Sequence, residues 1–294
     1  MKNKFPHNFG DLPEEYSNYK DSSIVVLPVP FDKTSTWIKG SDRGPRAIIE
    51  ASKNLEFYDI ETKSEVYKKG IFTEKGIIAK NSKEMINRAY KKVKNLLNDK
   101  KFVVVLGGEH TVSLGAIKAH AEFFKDINIL HLDAHTDMRD SYEGSRYNHA
   151  CVMSRVKEVL ESRVRSSELR KGDILSVGIR SMDSSELTNI NSRSIFYASG
   201  MYKSEGWVNK VVKRLHKNVY ITVDLDVFDP SIMPSVGTPE PGGLDWYQVT
   251  SLLKNVSENK NIIGFDVVEF CPSENKAPDF LAAKLVYKLL SLIF

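Results

Sequence analysis

Six acidic and imidazole residues follow three predicted β-strands, each at the point where a strand ends. They are His110, Asp133, His135, Asp137, Asp224 and Asp226. Alternate residues of an extended segment point to one side, so the side chains of each run are expected to converge. Carboxylates lying side by side are costly to bury unless a partner or a cation neutralises them.

One such residue alone is ordinarily a helix cap or a turn residue. Six of them at three strand ends indicate a metal site. The set contains oxygen and imidazole donors and no thiolate, which favours Mn²⁺ over a cysteine-bound structural Zn²⁺. It also exceeds the needs of one catalytic ion. We therefore expect two ions, about 3.5 Å apart, with a bridging hydroxide as nucleophile.

The charge of this site predicts its substrate. The four aspartates cancel two divalent ions, and the hydroxide together with Glu269, which follows another predicted strand, leaves a negative pocket. Such a pocket repels phosphate esters and attracts a planar cation. A guanidinium fits, because a carboxylate can hold it by two parallel hydrogen bonds. Hydroxide would add to its carbon, and an amine would leave once protonated.

The elements that must position these residues are short apolar strands alternating with amphipathic helices. Strands are predicted at Ile24–Leu27, Phe102–Leu106, Ile127–Leu132, Ile174–Ile179, Val219–Leu225 and Ile262–Val268, and weaker ones at Gly76–Ala79 and Ile195–Tyr197. Helices are predicted at Ser82–Asn98, Asp245–Val256 and Pro278–Phe294. This alternation predicts an α/β fold: a mostly parallel sheet of about eight strands with helices on both faces. Ligands bind beyond the carboxyl ends of such strands.

Length and composition exclude several classes of protein. The chain has 294 residues, 41% of them hydrophobic and 27% charged, which excludes a disordered chain or a coiled coil. No linker divides it, so we expect one domain over residues 1–294. The net charge of +4 is spread out, which argues against a nucleic-acid partner. No apolar run reaches membrane-spanning length, no secretory signal is visible, and two cysteines make no disulfide framework. A cytoplasmic protein is expected.

The sequence resembles the arginase/agmatinase (ureohydrolase) family over nearly its whole length. The matching stretches are Pro28–Ile48, Gly107–His110, Asp133–Asp137, Asp224–Pro230, Gly237–Gly243 and Val267–Pro272. The segment from Asp133 onward looks most like that of bacterial agmatinases, which hydrolyse agmatine to putrescine and urea. The resemblance implies an arginase-like three-layer fold, two Mn²⁺ ions per chain, a role in polyamine biosynthesis and a homo-oligomer, trimeric or hexameric.

The resemblance also implies a role for each site residue. One ion would be held by His110, Asp133, Asp137 and Asp224, and the other by Asp133, His135, Asp224 and Asp226. Asp137 would in addition pass the proton of the hydroxide to the leaving amine. Glu269 would bind the guanidinium. His149 would bind beside the substrate and shuttle protons, although the sequence alone would make it a surface-loop histidine.

Departures from the family pattern bear on the substrate. Glu109 stands where members often have aspartate, and we expect it to support His110. Arg139 and Tyr147 replace two asparagines with which arginases read the amino acid end of arginine, which favours a substrate without that carboxylate. Arg139 would attract the carboxylate of guanidinobutyrate or, as we favour, pair with Asp140 or Glu143.

Several alternatives remain open at this point. The substrate could belong to another ureohydrolase: a guanidinobutyrase, an arginase or a formimidoylglutamase. A deacetylase-like Zn²⁺ amide hydrolase shares the fold but needs only one ion, which leaves His110 and Asp226 without a purpose. A catalytically silent homologue would act through an active partner. A Cys–His nucleophile is a further alternative for Cys151 and Cys271. We assign both cysteines to packing instead, because free cysteine is commonly buried.

Overall fold

The computed structural model describes residues 8–164, 173–202, 204 and 206–294. Over these residues eight strands form one sheet. The strands are β1 Ile24–Val29, β2 Ile71–Thr73, β3 Phe102–Gly107, β4 Ile127–Leu132, β5 Ile174–Ile179, β6 Ile195–Tyr197, β7 Asn218–Asp224 and β8 Asn261–Val268. The α-helices are α1 Glu14–Ser17, α2 Gly44–Ser52, α3 Ser82–Asn98, α4 Ser113–Phe123, α5 Val152–Val164, α6 Ala198–Tyr202, α7 Trp207–Arg214, α8 Trp246–Asn259 and α9 Ala277–Ile293.

The strand order explains how distant segments meet. All pairings in the described sheet are parallel, in the order β2-β1-β3-β8-β7-β4-β5-β6. The first three strands form one edge, the next three form the other, and β7 and β8 fill the centre. As a result β3, β8, β7 and β4 are consecutive neighbours. The residues that follow these four strands are therefore brought to one place.

Helices cover both faces of the sheet, as predicted. Alternate residues of β3 show the two faces: Val104 and Leu106 belong to the core shared with α2, α8 and α9, whereas Val103 and Val105 belong to the core shared with α3, α4 and α5. Because both faces are buried, each strand needs apolar residues at successive positions. This requirement explains why the near-continuous runs of Val and Ile form the strands. The predicted three-layer α/β fold is confirmed.

Helix boundaries follow from capping residues. The Asn81 side chain accepts the backbone amide of Glu84 and begins α3. Asp245 and Gln248 form a reciprocal capping box at the start of α8. The predicted start of this helix at Asp245 is thus its cap, and the helix continues three residues beyond the predicted end at Val256. Among the described residues, no helix combines the length and apolarity that crossing a bilayer requires.

The strand predicted at Gly76–Ala79 is wrong. The edge strand is β2, Ile71–Thr73, which pairs with Ile24–Val26 of β1. Beyond it, the Ile77 amide still donates to the Pro28 carbonyl oxygen at 3.0 Å. Proline has no N–H to donate back, so the ladder of hydrogen bonds cannot continue at this position of β1. The apolar residues at 76–79 are therefore part of a loop.

Candidate metal centre

The six predicted ligand residues lie together beyond the carboxyl ends of β3, β4 and β7. His110 begins a 3-10 turn before α4, Asp224 is the last residue of β7, and Asp226 lies in the 3-10 turn after it. Five of the six are buried, and the sixth, His135, is partly exposed. The convergence expected from the strand ends is what the fold provides.

His110 directs one ring nitrogen at three carboxylates. Its Nδ1 atom lies 3.1 Å from Oδ2 of Asp133, 3.1 Å from Oδ2 of Asp137 and 3.4 Å from Oδ2 of Asp224. This buried nitrogen has no hydrogen-bond partner within the described part of the chain. A donor atom that is buried, unpaired and surrounded by carboxylate oxygens is suited to a cation.

The other ring nitrogen of His110 is fixed by a chain of hydrogen bonds. Nε2 lies 2.9 Å from Oγ1 of Thr222, and the Thr222 hydroxyl donates to Oδ1 of Asp266 at 2.6 Å. Asp266 also accepts the hydroxyl of Tyr220 at 2.9 Å. Because the single proton of Thr222 goes to Asp266, its oxygen accepts a proton from Nε2. Nδ1 therefore keeps its lone pair for a metal ion.

Asp133 is supported by His131, a residue that the sequence prediction missed. His131 lies inside β4, and its Nε2 is 2.7 Å from Oδ2 of Asp133, while its Nδ1 is 3.0 Å from Oγ of Ser176. Its ring could itself face an ion in common with His110, Asp133 and Asp137. Since both of its nitrogens already have partners, we assign His131 to orienting Asp133.

A second group of possible ligand atoms adjoins the first. Atoms of Asp133, His135 and Asp226 lie within 4.8 Å of one another. Nδ1 of His135 is 2.9 Å from Oδ2 of Asp226 and 3.6 Å from Oδ1 of Asp133. The backbone amide of Ala134 donates to Oδ1 of Asp226, and that of Asp226 to Oδ1 of Asp224. Asp133 thus turns one oxygen toward each group.

The carboxylates of the cluster repel one another. Burial raises the pKa of Asp224 well above its usual range, and the charges of Asp226 and Asp133 raise it further. Burial and Asp133 likewise raise the pKa of Asp226. Burial opposes the charged form of His110, yet its three carboxylate neighbours hold its pKa well above the ordinary value. Protons neutralise the cluster in the absence of another cation.

These observations fit a pair of divalent cations. The unpaired Nδ1 of His110 marks one position, and the group around His135 marks the other. All donors are carboxylate or imidazole, the set suited to hard or borderline ions such as Mn²⁺. The raised pKa values of His110 and Asp224 mean that these groups hold protons when no metal is bound. An ion at each position would take the place of those protons.

Two site residues adopt left-handed backbone conformations. Asp137 has φ of 52° and Glu269 has φ of 62°, which costs a non-glycine residue about 1–3 kcal/mol. Oε1 of Glu269 accepts the backbone amide of His110 at 2.6 Å, which ties the guanidinium-binding candidate to the metal-binding turn. A Cβ atom at Gly108 would lie 2.1 Å from the Phe31 carbonyl oxygen, so this turn requires glycine.

A pocket of about 270 Å³ opens onto the cluster. Its walls include Asp137, Asp224, Glu269 and His149, with the largely exposed indole of Trp37 at the rim. His149 is half-buried in this wall. It therefore belongs to the pocket wall and is not the surface-loop histidine that the sequence alone suggests.

Arg139 does not pair as predicted. Instead of Asp140 or Glu143, it contacts two acidic residues of the segment after β5: its Nη2 is 3.4 Å from Oδ2 of Asp183 and its Nε is 3.3 Å from Oε1 of Glu186. Asp140 is taken by other arginines. The sequence alone does not predict these partners, because Asp183 and Glu186 reach Arg139 only through the position at which β5 ends. Arg139, Asp183 and Glu186 all line the pocket.

The outer part of the pocket is acidic. Glu186 is buried, and its Oε2 has no hydrogen-bond partner in the residues that the structure describes. Burial and the charge of Asp137 raise the pKa of Glu186 to about 7, although Arg139 lowers it. Two carboxylates, of Asp183 and Glu186, thus face the one guanidinium of Arg139.

We expected Glu109 to support the His110 ring, but its carboxylate contacts other groups. Its Oε2 accepts the backbone amides of Lys33 at 2.9 Å and Thr34 at 2.5 Å, and its Oε1 accepts the Thr34 hydroxyl at 2.8 Å. The reason is that the His110 ring points to Thr222, while the glutamate points to the loop after β1. Burial raises the pKa of Glu109, and the donors of Thr34 oppose that shift.

Both cysteines are buried, in agreement with their assignment to packing. Burial raises the pKa of Cys151 to about 11, which disfavours a thiolate nucleophile beside His149.

Other residues that the sequence prediction missed are polar residues inside apolar strands. His131, Thr222 and Asp266 interrupt runs of Val, Ile and Leu, and all three contribute hydrogen bonds beneath the cluster. Their polarity within buried strands was an available signal. Arg180 gave no such signal. Its guanidinium donates to carbonyl oxygens that include those of Asp226 and Glu240, and it joins the two loops.

Known proteins are similar to this chain over nearly its whole length. The model of the arginase family matches residues 22–291. The N(1)-aminopropylagmatine ureohydrolase of Synechocystis sp. is 34% identical over 97% of this chain and 95% of its own length. The agmatinase of Pyrococcus horikoshii is 30% identical over 93% of each chain. The crystal structure of the agmatine ureohydrolase of Thermoplasma volcanium superposes with a TM-score of 0.84 at 31% identity, covering 98% of this chain and 94% of that one. The chain belongs to the arginase family, and within it is similar to ureohydrolases of the agmatinase type.

Proposed function

We propose that this chain is a binuclear manganese ureohydrolase that hydrolyses agmatine to putrescine and urea. The observation that carries the proposal is the unpaired Nδ1 of His110 facing three carboxylates, one of which, Asp133, also faces the second group. The first ion would be held by His110, Asp133, Asp137 and Asp224, and the second by Asp133, His135, Asp224 and Asp226. When bound, two such ions supply the Lewis acidity that makes hydroxide from water at neutral pH.

The remaining residues of the pocket bind the guanidinium and move protons. Oε1 of Glu269 is taken by the His110 amide, so Oε2 is the oxygen that holds the guanidinium. Asp137 would hold the proton that comes from water and deliver it to the departing amine, which must leave in neutral form. His149 would then exchange protons between the site and solvent, a role suited to an imidazole near neutral pH.

The acidic outer pocket favours a substrate with a cationic tail. Arg139 is engaged by Asp183 and Glu186, so it does not offer an unpaired positive charge to a carboxylate. Asp183 balances the guanidinium, and Glu186, whose pKa of about 7 leaves it partly ionised at neutral pH, adds negative charge. This charge disfavours the carboxylate tail of guanidinobutyrate and attracts an ammonium group. This charge balance supports agmatine, whose tail is a primary amine, over arginine and guanidinobutyrate.

N(1)-aminopropylagmatine is a second candidate substrate. The similarity to relatives named N(1)-aminopropylagmatine ureohydrolase favours it, and one of them is 34% identical over 97% of this chain. Its longer tail bears a further ammonium, which the negative charge of Asp183 and Glu186 would also attract.

The test is product release by the Mn²⁺-loaded full chain with a panel of substrates. Agmatine, N(1)-aminopropylagmatine, arginine and guanidinobutyrate are assayed for urea, and formiminoglutamate for formamide. We expect agmatine to give the highest kcat/KM. A higher value for the aminopropyl derivative selects the second candidate, and a preference for arginine or guanidinobutyrate contradicts the tail argument. Two bound ions without any turnover indicate a silent homologue, and a single Zn²⁺ an amide hydrolase.

A further inference from the structure

A line of hydrogen bonds leads from Glu109 to His149 through Thr34. The Thr34 hydroxyl donates to Oε1 of Glu109 at 2.8 Å. Oγ1 of Thr34 also accepts the backbone amide of His149 at 3.0 Å and lies 3.3 Å from Nδ1 of the His149 ring. Thr34 therefore touches the imidazole on one side and the buried carboxylate on the other.

The direction of these bonds follows from the backbone amides on Oε2 together with the ionised form of Glu109. Oε2 of Glu109 receives two amide N–H groups, from Lys33 and Thr34, which can only donate. Oε2 therefore carries no proton, and with Glu109 ionised its Oε1 also accepts and takes the one proton of the Thr34 hydroxyl. A hydroxyl has one proton and two lone pairs. With its proton given to Glu109, Thr34 can only accept from the ring, so the proton of neutral His149 lies on Nδ1.

We propose that Glu109 is a positioning residue that acts through Thr34 to hold His149 in the tautomer protonated at Nδ1. Nε2 is then the ring nitrogen free to take up and return a proton in the pocket. This role rests on the proposed function of His149, whereas the tautomer itself does not. It also gives Glu109 a purpose distinct from metal binding: its carboxylate holds the loop that begins at Lys33 against the wall that carries His149.

The substitution Glu109→Gln gives an unusually direct test. The two backbone amides still require an oxygen, so the new side chain must place its oxygen toward them and its NH₂ toward Thr34. The Thr34 hydroxyl then accepts from this NH₂ and from the His149 amide, and its own proton turns toward Nδ1 of the ring. The neutral imidazole must then carry its proton on Nε2. Glu109→Gln therefore reverses the tautomer at nearly constant shape.

The readout is ¹⁵N NMR of the histidine rings in the full chain. Spectra are recorded metal-free and with Zn²⁺, a diamagnetic ion, at about pH 8, above the ordinary pKa of histidine. His149→Asn identifies the resonances. We expect Nδ1–H in the unmodified protein and in Thr34→Ser, Nε2–H in Glu109→Gln, and a mixture in Thr34→Val. Thr250→Val makes the same change on α8, outside the pocket, and should leave the spectrum of His149 unchanged.

Kinetics of the Mn²⁺-loaded protein provide a second readout. Thr34→Val and Glu109→Gln should lower kcat by about tenfold or more, part of the 10²–10⁴-fold that proton transfer contributes, with KM nearly unchanged. Thr34→Ser should restore kcat, and all variants should bind the same number of ions.

The outcomes separate this inference from the proposed function. Nε2–H in the unmodified protein, or Nδ1–H retained in Glu109→Gln, overturns the inference whatever the substrate proves to be. The expected tautomers in a protein that does not hydrolyse agmatine would leave the positioning intact and contradict the substrate. If Thr34→Val does not fold, Glu109→Gln and Thr34→Ser still decide the matter.

Discussion

The Nε2 atom of His110 lies 2.9 Å from Oγ1 of Thr222, on the strand next but one to that from which His110 emerges. The contact turns the opposite nitrogen toward three carboxylates and fixes its lone pair there. The metal centre is therefore oriented by residues inside the sheet as much as by the loops at its edge.

Replacing Thr222 by valine should weaken metal binding. The valine keeps the shape but removes the acceptor for Nε2, so the His110 ring can turn or shift its proton to Nδ1. Loss of such a supporting contact typically lowers metal affinity by about 10–100-fold. Titration with Mn²⁺ against a competing chelator measures the change. Thr222→Ser retains the hydroxyl and should bind normally, whereas unchanged affinity in the valine variant would show that the contact is dispensable.

Metal binding should strengthen as the pH rises. In the metal-free protein the pKa values of His110, Asp224 and Asp226 are raised, so each group holds its proton at a higher pH than the same group would in water. An ion must displace those protons, and low pH therefore favours the metal-free form. Calorimetry in buffers of different ionisation enthalpy counts the protons released. Binding that releases none near neutral pH would be incompatible with the cluster described here.

Glu186 is expected to govern the affinity for the substrate tail. Glu186→Gln removes one of the two carboxylates that face Arg139 and leaves the outer pocket neutral. We expect KM for agmatine to rise by about tenfold, equivalent to about 1.4 kcal/mol, with little change in kcat. Glu143→Gln, in the exposed loop beyond Tyr142, is the matched control. A fall in kcat at constant KM would place Glu186 in the chemistry instead.

The sequence predicted the strand-end ligands because their chemistry is local. Polar residues directly after an apolar strand leave few alternatives once several strands share the pattern, and the six lie together as expected. The convergence of β3, β7 and β4 required the parallel topology, which the two-sided burial of the strands indicates.

The pairing of Arg139 and the contacts of Glu109 could not be predicted in the same way. Each depends on a segment distant in sequence: Asp183 and Glu186 follow β5, and Thr34 follows β1. Spacing along the chain contains no information about which loop lies across the pocket. The strand prediction at Gly76–Ala79 was wrong for a related reason. What ends the pairing there is Pro28, which lies on the neighbouring strand β1 and has no N–H to donate.

The buried ion pair of Lys288 should matter for stability. Nζ of Lys288, on α9, lies 3.0 Å from both carboxylate oxygens of Asp59, and both side chains are buried. Lys288→Met would leave Asp59 without its cation and should cost about 3–5 kcal/mol of unfolding free energy. Chemical denaturation measures this. Lys284→Met, one turn earlier and more exposed, should have a small effect, and combining Lys288→Met with Asp59→Asn should recover part of the loss.

This pair also predicts an acid dependence. Burial would raise the pKa of Asp59, but the Thr62 amide and Lys288 hold it below the usual value. Its contribution to stability is therefore present above the unfolded-state pKa of about 4 and is lost as the pH falls through the lower folded value. Lys288→Met should flatten the acid limb of the stability curve. An equally steep limb would mean that other carboxylates dominate it.

The central claim is that two ions share Asp133, and counting metal and urea in the same samples tests it. The unmodified chain, loaded with Mn²⁺ and freed of excess ion, should contain two ions and release urea from agmatine. Asp133→Asn, with its folding checked by circular dichroism, should lose tight binding at both positions and all turnover. Two ions and undiminished urea release in Asp133→Asn would contradict the account.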